Sequence, residues 1–379
     1  MMEAYDRFEL LINDQVVKTP VAIASMAGIV DAAYVLERAA HVGVAFIGGY
    51  SIDGPTLEVS RRMAEDGRKE FLYADPIEAL GHEIDALKES SVVAGINLRG
   101  STPAAYAGVA SAFEDRVVYE IDAHCRQSPM LNAGCGEYLL HHPDALVEII
   151  RALKAEDVTV SVKVRAGVAA NDADLARTVW KAGADILHVD LMDYGHNKLR
   201  QIRNASPLTL IANNSINTFD RAMDAFSHGA DLVSLARKSD PWTLAGLDAA
   251  ITRAADEGGW YNAPKQLCRG GDIRALAFCC MPVKACPLIP TLERIGLSRK
   301  EYLKLKQEAV KGTALENGKT TCFGSLAWCC KISSPCMFRN MTLENVGLSA
   351  REYMRCKHRL SEKIMHRIFD EKETADESS

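Results

Sequence analysis

Residues 208–237 read LTLIANNSINTFDRAMDAFSHGADLVSLAR. The stretch opens with one apolar run, LTLIANN (208–214), and closes with another, DLVSLAR (231–237). Each is too short for a helix and too apolar for a surface loop, as expected of a strand buried on both faces. Between them, DRAMDAFSHGA (220–230) is amphipathic and ends at a glycine, as a helix packed on a sheet does. Strand, helix, strand is the repeating unit of a parallel α/β fold.

Toward the N-terminus the same unit recurs. VAIASMA (21–27), VAFIGGY (44–50), VVAGINL (92–98), VVYEIDA (117–123), VTVSVKV (158–164) and DILHVDL (185–191) are further short apolar runs, separated by amphipathic segments such as AAYVLERAAHVG. Eight strands over about 250 residues predict an α/β fold of the closed (β/α)8 TIM-barrel type rather than an open doubly wound sheet. Chemistry in such a barrel sits where the strands end at the C-terminal face. Those ends are polar here: Met26-Ala27-Gly28, Tyr50 with Asp53, Asn97 with Arg99, Asp122 to Cys125, Lys163 with Arg165, Asp190, Asn213-Asn214-Ser215, and Ala236-Arg237. A thiol, a lysine and two arginines in one ring suit an anionic ligand and a proton donor.

The charge is divided along the chain. Residues 1–259 hold 24 Lys+Arg against 37 Asp+Glu, a net of −13, and residues 260–379 hold 20 against 13, a net of +7. Nine of the eleven cysteines fall in the second part. These shifts predict a barrel over 1–258, a small, mainly helical, cysteine-rich domain over 259–366, and an acidic, disordered tail over 367–379. No apolar run is long enough to span a membrane, and the N-terminus has no secretory h-region, so a cytoplasmic protein with reduced thiols is expected.

The cysteines are duplicated. CCMPVKAC (279–286) and CCKISSPC (329–336) share one spacing; each is followed by GLSxxEY and preceded by a further cysteine, Cys268 or Cys322. Ser298 with Glu301, and Ser349 with Glu352, have the spacing of capping boxes that open two basic helices. Two sets of four thiols result: Cys268, Cys279, Cys280 and Cys286, then Cys322, Cys329, Cys330 and Cys336, with Cys356 left over. Four thiolates suit an iron–sulfur cluster or zinc, although neither copy has the spacing of a zinc ribbon or a bacterial ferredoxin, and reduced core cysteines are the plainer alternative.

The barrel's motifs carry a resemblance. SMAGIVD (25–31), INLRGSTP (96–103), EIDAHCRQSP (120–129), VKVRAG (162–167), ANNSI (212–216) and LARKSDPW (235–242) resemble, in order, motifs of the tRNA-dihydrouridine synthases, which are FMN-dependent barrels. The resemblance implies FMN-binding roles for Met26, Ala27, Asn97, Lys163, Asn213 and Arg237, with the backbone of Asn213, Asn214, Ser215, Ala236 and Arg237 around the phosphate. It also implies that Cys125 is the acid that protonates a reduced ring. Asp122 stands where the family has asparagine, Asp190 where it has histidine at the cofactor, Arg126 where it has proline, and Asn214 and Ala236 where it has glycine. Two extra carboxylates would repel a flavin or phosphate unless a cation or proton intervenes. The barrel joined to the duplicated cysteine-rich domain resembles the methanogenesis marker protein 9 family, which implies an association with methanogenesis in archaea.

Two functions follow as expectations. The first is an FMN-dependent oxidoreductase acting on a small molecule or modified base, with tRNA less favoured because the barrel is acidic, and with the cysteine-rich domain or a redox partner protein supplying electrons. The second is a non-catalytic assembly or metal-delivery factor that has kept the barrel and lost the flavin.

Overall fold

The eight apolar runs become eight parallel strands: β1 (Val21–Ile23), β2 (Val44–Ser51), β3 (Val93–Arg99), β4 (Val118–Ala123), β5 (Val160–Arg165), β6 (Ile186–Asp190), β7 (Thr209–Asn213) and β8 (Leu232–Leu235). The structure is a computed structural model and describes residues 7–8, 10–192, 194–258, 266–269, 271–329 and 336–376. Each strand pairs in parallel with the next, and β8 returns to β1 with Leu235 opposite Ile23, closing the expected (β/α)8 barrel.

Short polar residues set the turn from strand to helix. Asp53, Asp75, Thr102, Asn171 and Thr218 each accept a backbone N–H of the first turn of the helix that follows. Proline falls in the first turn of Gly54–Glu65, Pro76–Leu87 and Pro103–Phe113, where its missing N–H leaves no bond unmade. These caps fix the ends of the loops that carry the site.

An N-terminal hairpin, Leu11–Ile12 with Gln15–Val16, was not legible in the sequence, because two-residue strands carry no period. Its turn residues Asn13 and Asp14 are left-handed, at φ 51° and 57°. Asn13 Nδ2 donates to Asp115 O (2.6 Å), and Asn13 Oδ1 accepts from Thr159 Oγ1 (2.9 Å). Both partners precede the starts of β4 and β5, so the hairpin lies at the barrel end away from the polar strand ends.

Residues 1–9 and 260–379 group into a second unit, and 10–259 into the barrel unit. The second unit is helical among its described residues, with Leu288–Arg294, Arg299–Val310, Met337–Asn345 and Ala350–Asp376 as its α-helices. The last of these reaches Asp376, within the segment expected to be an acidic tail. Both capping boxes form: Glu301 N donates to Ser298 Oγ and Ser298 N to Glu301, and Ser349 and Glu352 repeat the pattern. Tyr302 OH donates to Leu276 O (3.0 Å) and Tyr353 OH to Leu326 O (3.0 Å), each carbonyl lying three residues before its vicinal cysteine pair. The repeat is therefore one of structure as well as sequence. Among the described residues, no helix is long and apolar enough to cross a membrane.

Candidate functional site

A cavity of about 1000 Å³ opens at the C-terminal ends of the strands. The barrel residues expected to serve as acid or at the cofactor all line it: Met26, Ala27, Asn97, Cys125, Lys163, Asp190, Asn213, Asn214, Ser215, Ala236 and Arg237. Two members of the polar ring do other work. Tyr50 is buried and stacks on Phe71 at 4.7 Å, and Asp53 caps the helix Gly54–Glu65 while accepting Ser101 N (2.6 Å).

The side chains that reach the cavity floor are held from beneath. Asn97 Nδ2 donates to Glu120 Oε1 (2.8 Å), and Glu120 Oε2 accepts from His188 Nδ1 (2.8 Å) and Ser161 Oγ (3.1 Å). His188 Nε2 lies 2.7 Å from Ser234 Oγ, which also accepts Asn213 Nδ2 at 2.7 Å. Burial lowers the His188 pKa, so the ring is neutral, donates from Nδ1 and accepts the Ser234 hydroxyl at Nε2. Burial alone would raise the Glu120 pKa, but His188, Lys163 and Asn97 together hold it below the usual range. The chain thus runs across the barrel interior from Asn97 on β3 to Asn213 on β7 and fixes both amides. Lys163 Nζ donates to Ser25 Oγ (2.9 Å), which sets the amine beside the β1 loop.

The two extra carboxylates are neutralised within the chain. Arg99 Nε donates to Asp122 Oδ2 (2.9 Å) and Arg99 Nη1 to Glu70 Oε2 (2.7 Å), with all three side chains buried. Gly49 makes this fit possible, since a Cβ there would lie 2.8 Å from Arg99 Nε. The other oxygen of Asp122 accepts His124 N and Cys125 N, both at 3.0 Å, and so shapes the turn that presents the thiol. His124 Nε2 donates to Asp190 Oδ2 (2.6 Å), and Arg165 Nη1 stands 3.8 Å from the same oxygen. Burial pushes both aspartates up, yet Arg99 at Asp122 and the His124 hydrogen bond with Arg165 at Asp190 outweigh it and leave each below the ordinary carboxylate range. The repulsion expected from sequence is therefore answered by Arg99, His124 and Arg165.

Cys125 lines the cavity and also packs against Met63, Met130 and Cys135. Burial raises its pKa, more than Arg99 lowers it, so the thiol keeps its proton. On the opposite side, Asn214 and Ser215 take left-handed backbone at φ 91° and 59°, and Asn214 is the residue that stands where the resemblance implies a glycine. Consecutive backbone N–H groups in such a turn form an anion-binding concavity. Arg221, Arg237 and Lys238 line the same side. Arg221 and Lys238 were missed in the sequence because they lie outside the strand-end positions.

The thiol sets of the second unit are placed less tightly. Cys279 is buried and its sulfur accepts Leu267 N–H at 3.4 Å; Cys280 and Cys286 are half-buried and Cys268 is exposed. Cys329 is buried, Cys336 half-buried and Cys322 exposed, and Cys330 lies outside the described residues. Among the described residues, no three of these sulfurs lie within 4.8 Å of one another. Lys306, fully buried behind the first set, donates to the carbonyl of Cys279 (2.5 Å) and to Tyr302 OH (3.2 Å), and no carboxylate among the described residues pairs with it. Burial and the nearby Lys357 push its pKa well down, while the thiols of Cys279 and Cys280 act in the opposite sense.

Comparison with known proteins gives this geometry a context. An uncharacterised protein of Methanocaldococcus jannaschii is 49% identical over 107 residues, 28% of this chain and 69% of that protein. A second uncharacterised protein of the same organism is 26% identical over 231 residues, covering 57% of this chain and 88% of its own length. The crystal structure of DHODH from Eimeria tenella in complex with ferulenol shares the fold, with a TM-score of 0.50 at 14% identity over 69% of this chain and 87% of that one. The family described as Dihydrouridine synthase (Dus) matches residues 79–269, half of the chain and most of the barrel, and the chain belongs to that family.

Proposed function

We propose that this protein is a cytoplasmic, FMN-dependent oxidoreductase that reduces an unsaturated ring in a small molecule or modified base. The observation that carries the reading is the cavity itself, into which Asn97, Cys125, Lys163, Asn213 and Arg237 all project from different strands. The donor set fits the cofactor: an amine for the pyrimidine end of the ring, two fixed amides, and a left-handed turn flanked by Arg221, Arg237 and Lys238 for a phosphate. When bound, FMN supplies hydride chemistry. The chain's own part is to orient and to protonate. Met26 and Ala27 wall one side, Lys163 holds a positive charge where the reduced ring becomes negative, and Asp190 keeps His124 in place. The Cys125 thiol, kept protonated by burial, is the proton source for the carbon next to the one reduced.

We propose further that the cysteine sets hold a metal centre, an iron–sulfur cluster ahead of zinc, which supplies electrons. Soft thiolate ligands suit either centre, and the cluster is preferred because a flavin barrel needs an electron source. The buried Lys306 supports an anionic centre nearby. The resemblance to methanogenesis marker protein 9 rests on this duplicated unit and associates the reaction with methanogenesis.

An anaerobic titration with FMN, followed by flavin fluorescence, tests the barrel reading. Removal of one charge-assisted bond in Arg237→Ala or Lys163→Ala is expected to weaken binding by about 1.5–3 kcal/mol, roughly ten- to a hundredfold. Equal affinity in wild type and both variants would sink it.

A further inference from the structure

Nine lysines and arginines but only two aspartates line the cavity, in a barrel whose own residues sum to a net charge of −13. That concentration exceeds what one cofactor phosphate needs. Arg99 and Arg165 are engaged by carboxylates and Lys163 by Ser25, and the other six cations fall into two groups. Arg221, Arg237 and Lys238 belong to the β7 and β8 side. Arg68, Lys69 and Arg126 belong to the loop after the helix Gly54–Glu65 and to the turn after β4, next to Cys125. β4 and β8 are four strands apart in a closed ring of eight, so Arg126 stands across the mouth from the β7–β8 cations, while the loop bearing Arg68 and Lys69 follows β2 and is tied to β3 through Glu70 and Arg99.

The second group is built, not incidental. Glu70, with its side chain 1% exposed, is anchored by Arg99, and Arg99 also holds Asp122, whose other oxygen takes the N–H of Cys125. One buried ionic chain thereby fixes both the loop bearing Lys69 and the turn bearing Arg126. The loop also rests on Gly28, at φ +66°, where a Cβ would meet Lys69 C at 2.5 Å. Lys69 and Arg126 are exposed at their tips, and no carboxylate among the described residues pairs with either.

We propose that the substrate is a small molecule bearing its own anionic group, phosphate or carboxylate, which Lys69 and Arg126 seat beside Cys125. The assignment rests on the reading that the flavin phosphate occupies the β7–β8 side. A nucleic acid is disfavoured because its binding requires cations along an outer face, whereas here they line a cavity in an otherwise acidic barrel. A cavity of about 1000 Å³ has room for a cofactor and a small substrate together.

Calorimetric titration of the full-length protein with inorganic phosphate at low salt tests the site. Wild type is expected to bind at two sites. The double variant Lys69→Ala with Arg126→Ala should lose one site, or weaken it by at least about tenfold, and retain its circular dichroism spectrum and its FMN affinity; Arg237→Ala should lose the other site. Lys69→Arg, which keeps the charge, should bind phosphate as wild type does. Unchanged phosphate stoichiometry and affinity in the double variant would overturn the proposal. So would a labelled single-stranded RNA that binds wild type more tightly than phosphate and is released by the same double variant. Loss of the Lys69 and Arg126 phosphate in a protein that binds no FMN would still support this site and would instead defeat the flavin reading.

Discussion

The barrel and the cysteine-rich unit both bury charge, and they balance it in opposite ways. In the barrel, Arg99 stands between Asp122 and Glu70, and Glu120 is enclosed by Asn97, Ser161 and His188. In the second unit, Lys306 is equally buried but meets a backbone carbonyl and a phenol, with no carboxylate among the described residues. A closed ionic network holds a shape by itself. A buried amine without an anion gives up its proton readily, as the lowered pKa of Lys306 indicates, and a negative partner beside it would restore the charge. The barrel is thus preorganised before any ligand binds, whereas under the proposed reading the second unit is completed by a metal centre.

The same kind of substitution should therefore have opposite signs in the two units. Arg99→Met leaves two buried carboxylates without their cation and is expected to destabilise the barrel by about 3–5 kcal/mol in chemical denaturation. A loss below about 1 kcal/mol would mean that the ion chain is not what holds the Cys125 turn. Lys306→Met in chelator-treated protein is expected to stabilise the cysteine-rich unit by about 1–3 kcal/mol, because it removes the desolvation cost of a buried amine that no carboxylate offsets, and to lower metal retention after reconstitution. Destabilisation together with unchanged metal content would show that Lys306 serves only to cap the Cys279 carbonyl.

A smaller effect sharpens the comparison by pH. Asp122 and Asp190 have folded pKa values below the ordinary aspartate value, so the unfolded chain binds protons more readily than the folded one as the pH falls. Their contribution is fully present above about pH 4 and is lost as the pH falls below it. Acid titration of the barrel's unfolding free energy should show this decline in wild type and a weaker one in Asp190→Asn. Identical slopes would contradict the pairing of Asp190 with His124 and Arg165.

Much of this was legible in the sequence, for a physical reason. Strands buried on both faces write continuous apolar runs, so all eight appeared, and the polar residues that interrupt their ends lie around the cavity. Glu120 and His188 were also visible, as a carboxylate and an imidazole inside the apolar runs VVYEIDA and DILHVDL, but their partnership across two strands was not. The Arg99 ion chain joins residues 29 and 23 positions apart, which no local period reports. That is why Asp122 and Asp190 read as liabilities from the sequence and become fixed elements of the site once their cations are in place.

The most direct test of the central claim is the visible absorption spectrum of the protein purified anaerobically. The account predicts flavin bands that bleach on reduction, persist in Cys125→Ala and are lost or strongly diminished in Arg237→Ala. A spectrum without flavin bands, combined with no uptake of added FMN by the wild-type protein, would contradict it.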